Sequence, residues 1–118
     1  MLIPGSVAKK MVALLGSFGA IPVGGYARDS HQESYHDLDF LAFKDPRSLL
    51  KDFAAFAGPG VIRTVKAGPK YVAFDFGDYR VDIWKTTPVG FYRSYVRRTL
   101  AAPKQIWLAK TLRAAKAA

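Results

Sequence analysis

Two carboxylates one residue apart, Asp37 and Asp39, and a third on a later apolar run, Asp82, are the residues of this 118-residue chain most able to do chemistry. If the run after the pair (40–43) is a strand, Asp37 and Asp39 project from one face, since strand side chains alternate with a period of two. Like charges held that close are costly unless a cation or a shared proton compensates them, and hard divalent cations such as Mg²⁺ prefer carboxylate oxygen. Upstream, the pair Gly24-Gly25 followed by Arg28 suggests a seat for a phosphate. Asp82, in Arg80-Val81-Asp82-Ile83-Trp84, has two readings. It is a surface acid paired with Arg80, or a carboxylate brought by a neighbouring strand beside Asp37 and Asp39 to complete an oxygen-rich metal site.

The elements that must position these groups can be read from period and punctuation. Val7, Met11, Leu14, Leu15 and Phe18 recur at helical spacing, predicting a helix over about 7–17 with Ser6 as its N-cap. A short apolar run follows at 20–23, where Pro22 favours an edge or strand end. Residues 26–36 are polar and form a short helix or a loop. Asp45-Pro46 is a helix start, with Leu49, Leu50, Phe53 and Phe56 as the apolar face, and Gly58-Pro59-Gly60 ends it. Strand-like runs at 61–66, 71–76 and 79–84 come next, the last two a hairpin about Gly77-Asp78 with Val72, Phe74 and Phe76 alternating. Two helices are expected at 88–98 and 103–117. The order describes an α+β fold, with helices packed against a mixed sheet.

Half the residues are apolar and none is cysteine, so one self-sufficient core is expected, with no disulfide or thiolate metal site. No transmembrane-length run occurs, and the expectation is a soluble, cytoplasmic protein without membrane contact. The net charge of +9 is uneven: ten Lys/Arg face nine Asp/Glu through Asp82, whereas residues 83–118 hold eight Lys/Arg and no acid. Such a block points to a polyanionic partner, with nucleic acid ahead of an anionic membrane surface. In the terminal helices Arg93 and Arg97 share a face, as do Phe91 and Tyr95. Lys110, Arg113 and Lys116 advance in steps of three opposite Leu108 and Leu112, a stripe suited, with Lys104, to non-specific backbone contact. Trp84 and Trp107 read as core, Tyr26 and Tyr35 as packing residues, and Asp29 and Glu33 as solvated; His31 and His36 are not assigned catalysis.

Taken in order, Ile3-Pro4 to Ala8, Val23-Gly24-Gly25-Tyr26-Ala27-Arg28, Asp37-Leu38-Asp39, Arg80-Val81-Asp82 and Arg98-Thr99 resemble the nucleotidyltransferase superfamily that contains DNA polymerase beta. The chain looks most like the palm of a minimal family X DNA polymerase of viral or phage type. The resemblance implies a single nucleotidyltransferase domain over 1–118, with a palm at 1–86 and a basic, thumb-like helical extension at 87–118. It implies two Mg²⁺ ions (or Mn²⁺) bridged by Asp37 and Asp39, one of them also held by Asp82, and transfer of nucleotide from a triphosphate to a primer 3′-hydroxyl on primer–template DNA. Gly24, Gly25 and Arg28 would then hold phosphates, Arg98 and Thr99 would lie along the nucleotide, and Arg80 would orient Asp82 or meet the primer phosphate.

The sequence also departs from that pattern. Gly25 stands where family X usually has serine, Ala27 replaces an arginine, and Thr99-Leu100-Ala101 lacks the expected glycine, so the resemblance carries no sugar preference. Gly-Gly-x-x-Arg-Asp before Asp-x-Asp is the signature of CCA-adding enzymes and related poly(A) polymerases. A transferase acting on tRNA 3′ ends or on a protein hydroxyl, and a nucleic-acid-binding module without catalysis, are therefore the alternatives.

Overall fold

The computed structural model describes residues 1–92. Their elements run β1 (Ile3–Pro4), α1 (Gly5–Ser17), β2 (Ile21–Val23), α2 (Gly24–Arg28), β3 (Ser34–Tyr35), β4 (Leu38–Ala42), α3 (Pro46–Ala57), β5 (Ile62–Ala67), β6 (Tyr71–Phe76), β7 (Tyr79–Lys85) and α4 (Pro88–Phe91). This is an α+β arrangement. A five-stranded mixed sheet has the order β2-β4-β7-β6-β5, and β1 and β3 form a separate two-stranded ribbon. Among the described residues no helix is long and apolar enough to cross a membrane.

The sheet is mixed because β4 and β7 are parallel while every other neighbouring pair is antiparallel. A parallel pair cannot be joined by a tight turn. Here α3 and the strands β5 and β6 make the return. The last step is a two-residue turn, with Gly77 at φ 61° and Asp78 at negative φ, the sign pattern of a type II′ hairpin. It fixes the register Phe76↔Tyr79, Phe74↔Val81, Ala73↔Asp82 and Tyr71↔Trp84. β2 lies at the sheet edge, where Pro22 costs no ladder bond in the interior.

Strand alternation divides the sheet into two faces. Leu38, Phe40, Ala42, Val72, Phe74, Val81 and Ile83 point to one, where Ala8, Met11 and Leu15 of α1 and Leu49, Leu50 and Phe53 of α3 close the main core. Phe40, Phe53 and Phe74 are fully buried, each contributing on the order of 2–3 kcal/mol by area removed from water. A second, small cluster of Ile21, Val23 and Phe91, with Leu41 and Phe43 against it, covers the other face at its β2 end. Beyond that patch, the face carries the polar and charged groups of β4, β7, β6 and β5.

Three local expectations need correcting. α1 begins at Gly5 with Pro4 as N-cap and no side-chain cap, so Ser6 does not cap it. The helix start is instead tied down by the Gly5 N–H, which donates to the Glu33 carbonyl at 2.7 Å. A side chain at Gly5 would run into the Gln32 carbonyl, which leaves glycine as the residue that lets β1 and β3 pair beside it. Phe56 is 65 % exposed, because Leu49, Leu50 and Phe53 already cover the sheet; its ring meets Phe18 edge-on, at 5.7 Å between ring centres. Trp84 is 40 % exposed, on the face away from the main core. Asp45 behaves as expected, accepting from the Arg47 N–H ahead of Pro46, and Thr87 caps α4 through the Gly90 N–H.

Candidate metal and nucleotide site

The parallel register of β4 and β7 sets Asp39 directly opposite Asp82. Leu38 and Phe40 face the core, as do Val81 and Ile83, so both acids must face away from it. Asp37, immediately before β4, lies on the Asp39 side. Each of the three offers a carboxylate oxygen, and the three oxygens lie within 4.8 Å of one another. That spacing, with oxygen donors only, is close enough to hold one hard divalent cation. The three differ in exposure: Asp37 is exposed, Asp39 intermediate and Asp82 buried.

Burial, with repulsion from Asp37 and then Asp82, raises the Asp39 carboxyl from 3.8 to about 6, and the nearby Arg28 charge opposes this. Asp82 accepts a hydrogen bond from the Tyr71 hydroxyl. That bond and burial push Tyr71 up to about 12, so it stays protonated and keeps donating. Gly24 is required for a local reason. Its φ is +67°, a left-handed conformation, and a Cβ there would lie 2.7 Å from Asp39 Oδ2. At Gly25 an added Cβ would make only ordinary contact with Tyr35, at 3.8 Å.

A cleft of about 380 Å³ opens beside the acids, lined by Gly25, Arg28, Gln32, Ser34, Tyr35, His36, Asp37, Asp39 and Leu2. The pair Gly24-Gly25 thus enters α2 directly from β2, and Arg28 at its far end returns to the cleft. Tyr35 is packed as expected. It is buried, lies 5.5 Å from the Tyr26 ring, donates through its hydroxyl to the Asp29 carbonyl at 2.6 Å, and has its pKa raised by burial. The Asp29 carboxylate accepts from the His31 N–H and closes the turn after α2. His36 lines the cleft next to Asp37.

Arg80 is drawn elsewhere. Its Nε donates to Asp75 Oδ1 at 2.8 Å, and the same carboxylate takes Arg63 from β5. Two arginines hold the Asp75 carboxyl below its ordinary range despite its burial. The group bonded to Asp82 is therefore Tyr71 rather than Arg80. Sequence reasoning missed Tyr71 and Asp75. The signal was present: once the Gly77-Asp78 turn fixes the hairpin, Tyr71 becomes the diagonal neighbour of Asp82, and Asp75 stands opposite Arg80. Arg93, Arg97, Arg98, Thr99, Lys104, Lys110 and Arg113, expected along nucleotide or nucleic acid, lie outside the described residues, as do Trp107 and most of the residues expected to form two terminal helices.

Comparison with family models, with curated proteins and with solved structures returns no match.

Proposed function

We propose that this chain is a Mg²⁺-dependent nucleotidyltransferase of the DNA polymerase beta type, nearest to a minimal family X DNA polymerase, and that the α+β sheet is its palm. The observation that carries the reading is the β4–β7 register, which gathers Asp37, Asp39 and Asp82 from distant parts of the sequence onto one side of a sheet beside a cleft containing Arg28. In this reading Asp37, Asp39 and Asp82 would hold the ions. When bound, the ions supply Lewis acidity that favours ionisation of a primer 3′-hydroxyl and neutralise the charge of the triphosphate.

The protein's own groups position the reactants. The 3′-oxygen forms a bond to the α-phosphorus, the bond from that phosphorus to the bridging oxygen breaks, pyrophosphate leaves, and the hydroxyl proton passes to solvent. Tyr71 fixes one oxygen of Asp82, orienting the carboxylate toward the other two acids. Arg28 brings positive charge into the cleft where phosphates would lie, next to Gly25. Gly24 lets the chain pass close against Asp39. The acid-free stretch from Ile83 onward supplies the charge for a nucleic-acid backbone.

A second reading, transfer to a tRNA 3′ end, is favoured by Gly24-Gly25-x-x-Arg28-Asp29, and transfer to a protein hydroxyl shares its chemistry. One experiment separates these: the protein is incubated with labelled ribo- or deoxynucleoside triphosphates and Mg²⁺ or Mn²⁺, with primer–template DNA, RNA and protein acceptors in parallel. Label on the DNA primer, abolished in Asp82→Ala with fold and nucleic-acid binding retained, is the expected result. Label on RNA or protein alone moves the assignment to the second branch. Absence of transfer to every acceptor, or normal extension by Asp82→Ala, defeats it.

A further inference from the structure

Along β7 the face opposite the main core presents Arg80, Asp82 and Trp84 in succession, at steps of about 7 Å. Trp84 is the odd member. A 40 %-exposed indole on a strand that has already filled its core with Val81 and Ile83 is not needed for packing on that side. Its ring lies on Tyr71 at 5.1 Å between centres and 30° between planes, and Tyr71 is itself held through its hydroxyl by Asp82. The Lys66 ammonium stands 5.8 Å from the Tyr71 ring centre. Lys85, next along β7, alternates to the core side of the sheet, where its charge acts on Asp45, so Lys66 is the lysine this face offers to the aromatic pair.

The result is a flat aromatic surface with one edge anchored to a metal-ligating acid and Lys66 beside it. This composition suits a nucleobase attached to a phosphate backbone: every base has a face to stack, and the lysine complements a phosphate. A lipid or an acidic peptide would use the cation but not the indole plane two residues from Asp82.

We propose that Trp84, supported by Tyr71, is the stacking platform for the terminal base of a single-stranded nucleic-acid 3′ end, with Lys66 meeting a phosphate. The proposal rests on the nucleotidyl-transfer reading, because it is Asp82 beside the platform that makes the terminal base the one to be stacked. Trp84 thereby sets which acceptor ends the site engages, and it recognises a base plane rather than a sequence.

The test uses the full chain, metal-free, and a fluorescein-labelled 12-nucleotide oligothymidylate, as DNA and as RNA, read by anisotropy. Wild type is compared with Trp84→Ala, Trp84→Phe and Lys66→Ala, and each oligonucleotide is also made with an abasic 3′-terminal residue. Trp84→Ala is expected to bind about tenfold or more weakly with an unchanged salt slope, while Trp84→Phe keeps most of the affinity. Lys66→Ala is expected to flatten the salt slope. The abasic end should cost wild type the same factor as Trp84→Ala, and the two losses should not multiply. If wild type fails to distinguish the abasic end, if the losses multiply, or if wild type does not bind the oligonucleotide, the platform is overturned; the abasic comparison needs no variant to fold. Asp82-dependent transfer measured alongside separates the two claims, since transfer with no abasic effect removes the platform alone, and stacking without transfer removes the chemistry.

Discussion

Replacing Asp39 with asparagine should make the metal-free protein more stable at pH 8 and at the same time abolish its response to divalent cations. Asp39 has a folded-state pKa of about 6 against 3.8 ordinarily, because it is partly buried with Asp37 and Asp82 close by. A pKa raised by folding means that the fold prefers the protonated acid. That preference contributes fully below pH 3.8 and is lost as pH rises through about 6, so above pH 6 the ionised carboxylate is a net cost. At about 1.4 kcal/mol per pH unit the ceiling is ~3 kcal/mol, and solvent screening at a half-exposed group brings it to ~1–2 kcal/mol. Asparagine has the shape of the protonated acid and no charge. In urea or thermal unfolding with chelator present, Asp39→Asn should therefore exceed wild type by ~1–2 kcal/mol at pH 8, several degrees in Tm, with the difference closing between pH 6 and pH 4. Saturating Mg²⁺ or Mn²⁺ should then raise the wild type and leave the variant unmoved. A variant less stable than wild type at pH 8 without metal, a difference indifferent to pH, or an equal metal-induced rise in both proteins would refute the account of how the three acids interact.

Three further outcomes follow from the same geometry. Tyr71→Phe keeps the ring against Trp84 but removes the donor to Asp82, and should weaken metal binding by about 10–100-fold with little change in fold, as measured by Mn²⁺ titration. Unchanged affinity would mean that Asp82 needs no holding. Because Asp39 must lose its proton to ligate, metal affinity should fall by about tenfold for each pH unit below 6 and level off above it, as calorimetry across pH 4.5–8 would read. Gly24→Ala places a Cβ 2.7 Å from Asp39 Oδ2 at φ +67° and should cost ~1–3 kcal/mol in unfolding experiments, together with metal affinity. Gly25→Ala, in ordinary contact with Tyr35, should cost far less stability.

Much of the fold was legible because its signals are local. Asp45-Pro46 marks the start of α3 and Gly77-Asp78 marks the hairpin turn, each by a residue type whose backbone chemistry dictates the element. The nearness of Asp37 and Asp39 followed from strand alternation alone, and the arrival of Asp82 beside them was expected once it was read on a neighbouring strand. Trp84 was misread against the same rule: with Asp82 outward, period two sends Trp84 outward too, yet its size and apolarity suggested the core. Arg80 was expected to orient Asp82, its near neighbour in sequence, or to meet the primer phosphate. A long side chain on an exposed face follows the strongest opposite charge within reach, and antiparallel register brought Asp75 directly across from it. The absence of a Ser6 cap was not readable, since β1 and β3 had to pair before the Glu33 carbonyl could take the Gly5 N–H.

The parallel pairing of β4 with β7 also bears on when the site comes into being as the chain folds. The β6–β7 hairpin joins neighbours in sequence and can form early, whereas Asp39 and Asp82 are separated by ~40 residues whose loop must close before either strand gains from the other. A ribosome-bound chain ending before β7 would hold Asp37 and Asp39 without the third carboxylate. Cation affinity should therefore appear abruptly, on release of a complete β7, and can serve as a clock for the joining of the two halves of the sheet.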